Sequence, residues 1–443
     1  MKILSPLKIF IIYWAFSLLL YAFGPFAWVT YQPILFWTLH FLFLFAFVAG
    51  WLLSGKIVTN RRGREWTEVD DRGLLKRFGP LLYINLFYEV INLFRSFLFA
   101  NFNVSALIQR IIFGITNMGD SYNSFQDNIN VTSAGVVGGS IITLFNYVWD
   151  IWGFSTLIFG VLYFKKLKFH QKCIATACIF IEVVAYLARG TNIGVFRIVL
   201  IFLVLYYIKN MKSESERTKK NRGRKTKLVI LGIAAAVVVV LLFDKIMKSR
   251  GGIKYWQMGF YNIGGIHINH DSVFFKILPS GFHQLLVSLS AYLSQGYYGM
   301  SLTLRVPWQP MWGIGYSMAL QNLLKNFVPT IADASYQTRI EQFGWDSYSQ
   351  WHSMYSWFAN DISYLGVSFV MVLFGYIFHR ALRDSLELNN PYAKVMLYYM
   401  FLMAVFLPCN NQIGQTTYTL FSFFYVFIKW QLSKRNVRIV IRR

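Results

Sequence analysis

Negative charge is scarce in this chain: 19 Asp+Glu stand among 443 residues, against 43 Lys+Arg. Charge of either sign is sparse at 14%, too little to solubilise a domain that is 56% hydrophobic with a mean hydropathy of +0.44. Cysteine is almost missing. Cys173, Cys178 and Cys409 lie in or beside apolar runs, which argues against a disulfide framework or a CxxC zinc site. No small-residue cleavage site follows the first apolar run, so no cleaved signal peptide is expected. No DxD or ExD pair occurs in an outer connection to hold a divalent cation on a sugar phosphate. GxSxG, P-loop and dinucleotide-binding glycine patterns are missing from any strand–helix context.

What remains is a series of apolar runs near 9–28, 33–53, 79–98, 134–164, 173–188, 193–208, 228–243, 357–377, 393–407 and 416–430. A crossing needs about 20 apolar residues. The fold class this implies is an all-α polytopic membrane protein of about ten transmembrane helices. The run 134–164 reads as one long broken helix or a helical hairpin, and charge chooses between them. With a single crossing there, the Lys/Arg clusters at Lys2 and Lys8, 54–78, 165–172, 209–227, 380–394 and from Lys429 onward share one side. The positive-inside rule makes that side cytoplasmic, with both termini. The basic excess is therefore read as topology, and nucleic acid is not an expected partner.

Three segments follow: a membrane region at 1–243, an extracytoplasmic loop at 244–356 and a second membrane region at 357–443. A connection as long as 244–356 is expected to be folded and functional. Helical apolar spacing at 285–304 predicts an interfacial helix within it, and 100–132 reads as a second segment along the interface. Ionisable groups inside spans are rare enough to be candidate sites: Glu89, Arg95, Asp150, Glu182 and Arg197. Glu182 and Arg189 are placed to pair on one helix face. Arg189 also opens the tight outer turn Arg-Gly-Thr-Asn, where guanidinium donors and a helix N-terminus would suit an anion. Arg250 follows the seventh run, and Arg305 stands with Trp308, Trp312 and a Gly313-Ile314-Gly315 turn. His267, His270 and His283 are weaker loop candidates. The stretch SQWHSMYSWFANDISYLG places Trp351, His352, Tyr355 and Asp361 immediately before a span.

These patches, in this order, resemble the bacterial O-antigen polymerase and ligase superfamily. Ala188-Arg189-Gly190 is similar to its Ser/Ala-Arg-Gly turn, and LRVPW with MWGIGYS to the stretch bearing another arginine. The family's loop pattern resembles HNxxLxxxxxxGxxG. Here Ser353 follows His352 where Asn is common, Ser363 replaces the first Gly, and Gly366 stands at the second. The resemblance implies a GT-C-like membrane fold and inverting, metal-independent glycosyl transfer at the outer face of a bacterial cytoplasmic membrane, with no cofactor. Undecaprenyl-diphosphate-linked oligosaccharide would be both donor and acceptor, and a chain-length regulator and a flippase the expected protein partners.

In chemical terms, arginines stabilise a diphosphate leaving group without metal because they stay charged and bind phosphate oxygens through two donors. Arg189 and Arg305 are assigned that role, with Arg250 and Arg197 in reserve. His352 is the expected base for the acceptor hydroxyl, since imidazole titrates near neutrality. Asp361 would orient His352 or bind a sugar hydroxyl, although their separation along a helix demands a break. Trp308, Trp351 and Tyr355 are expected to face sugar. The acidic, aromatic-rich stretch favours a polymerase, joining lipid-linked repeats into O-antigen, capsule or exopolysaccharide. The alternatives are a ligase acting on a lipid core and a lipid-linked oligosaccharide flippase or transporter.

Overall fold

The structure, a computed structural model, describes residues 5–56, 65–97, 103–124, 139–215, 240–249, 266–325, 327–347 and 350–433. Arg250 and most of the run 228–243 lie outside the described residues. The principal helices, in chain order, are α1 (Pro6–Phe23), α2 (Pro33–Lys56), α3 (Glu68–Ser96), α4 (Val104–Thr116), α5 (Gly139–Trp149), α6 (Gly153–Leu162), α7 (Phe169–Ala188) and α8 (Ile193–Ser215). They continue as α9 (His283–Thr303), α10 (Met318–Leu324), α11 (Met354–Leu386), α12 (Pro391–Phe406) and α13 (Thr417–Ser433). The extended pairing among the described residues is one bridge, Phe26 to Ile268.

Five of these helices are long and apolar enough to cross a bilayer: α1, α2, α7, α8 and α11. A sixth crossing is available if α5 and α6 form one span, bent by 47°. The two helices are separated by a turn at residues 150–152. Helix α3 is long, but Glu68, Asp70, Asp71, Arg72, Lys76 and Arg77 fill its first turns, while α12 and α13 are shorter than a full crossing. The chain is thus a helical protein with membrane-spanning character.

The chain forms two compact units, each drawing on separate parts of the sequence. They cut across the three segments expected from hydropathy. The first unit comprises Met1–Thr59, Gly251–Arg380 and Tyr399–Leu420. Its first helix starts where Ser5 caps the Lys8 amide and Pro6 presets the first turn. Small residues then bring backbones together. A Cβ on Gly50 would lie 1.9 Å from the Val372 carbonyl oxygen, and one on Gly375 would lie 2.0 Å from that of Phe47. Close approach of α2 and α11 therefore requires both glycines.

Helix α9 occupies the helix expected at 285–304 and packs more deeply than an interfacial position requires. It is buried along most of its length, whereas a helix lying at a bilayer surface keeps one face wet. Its Ser290, Ser294, Gly296, Gly299 and Ser301 explain the difference, because small side chains admit neighbours on several sides. Gly296 is the tightest point: a Cβ there would meet the Pro408 carbonyl oxygen at 2.1 Å and the Ser353 nitrogen at 2.9 Å.

The second unit comprises Asn60–Arg250, Ala381–Tyr398 and Phe421–Arg443. Thr67 and Asp70 form a reciprocal capping box that starts α3. Next to it, the Asp71 carboxylate accepts hydrogen bonds from Trp66 Nε1 (2.8 Å), Tyr163 Oη (2.5 Å) and Lys166 Nζ (2.6 Å). Burial tends to raise its pKa, yet these donors outweigh burial and hold it below the usual value. Helix α4 seats Gly114 against the Ala188 carbonyl, where a Cβ would lie 2.1 Å from the oxygen, and leaves Ile108, Ile112 and Phe113 exposed.

Candidate functional site

In the first unit, the dipeptide Asn360-Asp361 organises the loop that follows α9. The Asp361 carboxylate accepts backbone hydrogen bonds from Gly313 (2.8 Å), Gly315 (2.9 Å) and Tyr316 (2.7 Å). Buried Asn360 works alongside it. Its side-chain amide donates to the Gly315 carbonyl and to Gln337 Oε1, each at 2.8 Å, while its side-chain oxygen accepts from the Tyr336 amide at 2.8 Å. Its carbonyl accepts from Met311 N (3.1 Å) and Trp308 Nε1 (3.3 Å). Gly315 permits this contact, because a Cβ there would sit 2.4 Å from that of Asn360. Asp361 is therefore a clamp on the Gly-Ile-Gly turn. No hydrogen bond joins it to His352.

Helix α11 breaks two residues later. Ser363 has φ 61° and ψ 169°, a region in which glycine is at ease and other residues are strained. The break that the His352–Asp361 spacing demanded is thus present, but it lies beyond Asp361 and does not bring the two together.

His352 is 2% exposed, in the approach to α11. Ser353 then caps the helix at the Ser356 amide, and the Met354 amide donates to the Leu407 carbonyl at 2.9 Å. Neither imidazole nitrogen has a partner in hydrogen-bonding geometry. Burial lowers the His352 pKa to about 4, with the Asp346 backbone and carboxylate pulling weakly the other way. The ring is accordingly neutral at physiological pH, the form a base needs, but sealed from solvent. Tyr355 is also fully buried, between His40 and Phe43. Trp351 is half-buried against Tyr292. These two rings, expected to face sugar, instead pack the interior and its edge.

Arg305 differs from all of these. It is exposed at the end of α9, with its guanidinium 3.8 Å from the Phe343 ring centroid and 4.5 Å from that of Tyr31. Among the described residues it has no ion-pair partner. Two aromatic faces hold the cation while its edge donors stay available. Trp308, three residues on, is 45% exposed and Trp312 is 85% exposed.

The second unit brings Arg189 and Arg197 together around one ring. The Arg189 guanidinium lies 5.0 Å, and that of Arg197 5.7 Å, from the Tyr186 centroid. Gly194 makes room for this ring, since a Cβ there would be 2.4 Å from Tyr186 Cδ2. Arg189 donates to Ser96 Oγ, and Gly190, with φ 67°, turns the chain against the Met118 carbonyl. Arg197 is 2% exposed; it donates to Tyr186 Oη at 3.0 Å and faces Glu182 Oε1 at 3.9 Å. The ion pair of Glu182 is with Arg197 on α8, and the charge of Arg189 also acts on its carboxylate. Glu89 and Asp150 are buried in the same unit, and Asp150 accepts from Tyr88 Oη at 2.7 Å.

His267 lies in the bridge segment with its carbonyl on the Ala27 amide; His270 stacks near Phe275, and His283 bonds the Leu278 carbonyl. Among the described residues, no group of three or more His, Cys, Asp or Glu side chains is arranged to hold a metal ion. Sequence reasoning missed Asn360, Tyr186 and the part played by Ser363. Its one available signal was a polar Asn-Asp pair within an aromatic helix start.

A comparison with family models, curated proteins and solved structures found no match for this chain.

Proposed function

We propose that this protein is a membrane glycosyltransferase that joins lipid-diphosphate-linked oligosaccharide repeats at the outer face of a bacterial cytoplasmic membrane. The observation that carries the proposal is Arg305: an exposed guanidinium, fixed between two aromatic rings and without an ion-pair partner among the described residues, beside exposed tryptophans. Such a group suits a diphosphate leaving group. The bond from the donor's anomeric carbon to the diphosphate oxygen breaks, the acceptor hydroxyl attacks, and its proton passes to a base. The phosphate charge that develops is met by Arg305. Arg189 and Arg197 offer a second pair of guanidiniums, although Arg197 is already engaged by Glu182.

The resemblance to the polymerase and ligase superfamily gains support at Ser363, where the family pattern carries glycine and this backbone has a positive φ. His352 is the assigned base. A base must come within about 3 Å of the proton it takes, and at 2% exposure His352 admits no acceptor in this state. The proposal therefore rests on Arg305.

The test is reconstitution with a lipid-linked repeat unit, with and without chelator. Wild-type protein should make a ladder of products, Arg305→Ala should make none, and Arg305→Lys should be strongly impaired. Ladders of normal length from Arg305→Ala would overturn the assignment. Transfer to a lipid core without ladders would indicate the ligase. Transport is a second reading, favoured by the buried ionisable groups Glu89, Asp150, Glu182 and Arg197. Translocation of the intact lipid-linked oligosaccharide across vesicles, with no glycosidic bond formed, would establish it instead.

A further inference from the structure

Trp312 combines two features that folding alone does not account for. Its φ of 54° puts a bulky residue in the left-handed region, and its side chain is 85% exposed. Among the described residues, no hydrogen bond, ion pair or ring contact holds that side chain. Strained backbone normally persists because surrounding contacts over-determine it. Here the surrounding backbone supplies that determination: Asp361 binds the amides of Gly313, Gly315 and Tyr316, and Asn360 binds the Met311 amide. The clamp thus grips both sides of Trp312 and leaves its indole free. Trp308 is held from the same dipeptide, its Nε1 donating to the Asn360 carbonyl while its ring stays 45% exposed.

We propose that Trp308 and Trp312 form a platform that stacks on pyranose rings of the glycan chain, with Asn360 and Asp361 as the positioning residues that fix it. Sugar rings present C–H faces that pack on aromatic π-systems, and indole is the largest such surface among side chains. A bilayer anchor would also expose tryptophan. Immersion in an interface, however, does not need the backbone locked on both sides of the ring, whereas stacking on a defined sugar face does. The proposal deepens the glycosyltransferase reading and rests on it for the ligand class.

The experiment uses full-length protein in nanodiscs. The probe is the water-soluble oligosaccharide that mild acid releases from the producing cell's own lipid-linked pool. Trp312→Gly removes the ring while keeping a residue that accepts positive φ, so its thermal stability should equal or exceed that of wild type. Its affinity for the probe should fall at least about tenfold, with Trp312→Phe within about threefold of wild type. Trp308→Ala should weaken binding in the same direction. Equal binding by Trp312→Gly and wild type, or no binding by wild type, overturns the platform. So does quenching of wild-type fluorescence by brominated lipid that disappears in Trp312→Gly while glycan binding is unchanged; Trp312 is then a bilayer anchor. The two readings fail separately. Glycan binding that depends on Trp312, without ladder formation, removes the polymerase reading alone. Ladders and binding that are indifferent to Trp312 remove the platform alone.

Discussion

Arg305 in the first unit and Arg197 in the second show opposite ways of keeping a guanidinium. Arg305 stays in contact with water, braced by Tyr31 and Phe343, and among the described residues it gives none of its charge to a carboxylate. Arg197 is taken out of water and shared among Glu182, Tyr186 and the ring of Phe154. A buried charge must be answered inside the protein, so its donors are committed. An exposed charge on an aromatic bracket keeps its donors for a ligand. The carboxylates divide similarly. Asp361 spends its oxygens on backbone amides to shape a loop, while Glu182 is balanced by a side chain of opposite sign.

The comparison can be broken most sharply at Arg197. Arg197→Met removes the ion-pair partner of Glu182 and should destabilise the protein by about 3–5 kcal/mol, whereas Arg197→Met with Glu182→Leu should recover most of the loss. Thermal unfolding in detergent reads both; an unaltered single variant would show that the pair is unimportant. His352 provides the next largest effect. Its folded pKa, about 4, lies below the ordinary 6.5, so the unfolded chain binds the extra proton. Stability is then full above pH 6.5 and falls as pH drops toward 4, by on the order of 3 kcal/mol. His352→Leu should reduce the slope over that interval, and an unchanged slope would show that His352 does not titrate on unfolding.

Asp361→Ala leaves three backbone donors without their carboxylate. The expected cost is about 2–3 kcal/mol, given the worth of bonds to charged groups, with increased proteolysis in the 308–317 loop as the local signature. Protection of that loop equal to wild type would contradict the clamp. Smallest, and of opposite sign, is Ser363→Gly. It relieves the positive φ and should stabilise by about 1 kcal/mol; a destabilised variant would argue against the break in α11.

Sequence patterning revealed the helices α1, α2, α7, α8 and α11, since apolar length is a local property. It also singled out Arg305 through its aromatic neighbours, whereas the break at Ser363 came from the structure. It placed a helix at α9 but not the depth of its packing, because small and mildly polar residues read alike on a partly wet helix and inside a close-packed bundle. The partners of each polar group were likewise beyond it. Glu182 meets Arg197 across adjacent helices, a contact that spacing along one helix does not record.

Sequence by itself determined that this is a helical, membrane-type chain with scarce, unevenly placed charge. Only tertiary structure decided which of those charges are spent and which are free. Burial and hydrogen-bond satisfaction depend on what distant segments bring to a side chain, and no local spacing records them. That is why Asp361, His352 and Arg305, alike as candidates in sequence, emerge as a loop clamp, a sealed imidazole and an open cation.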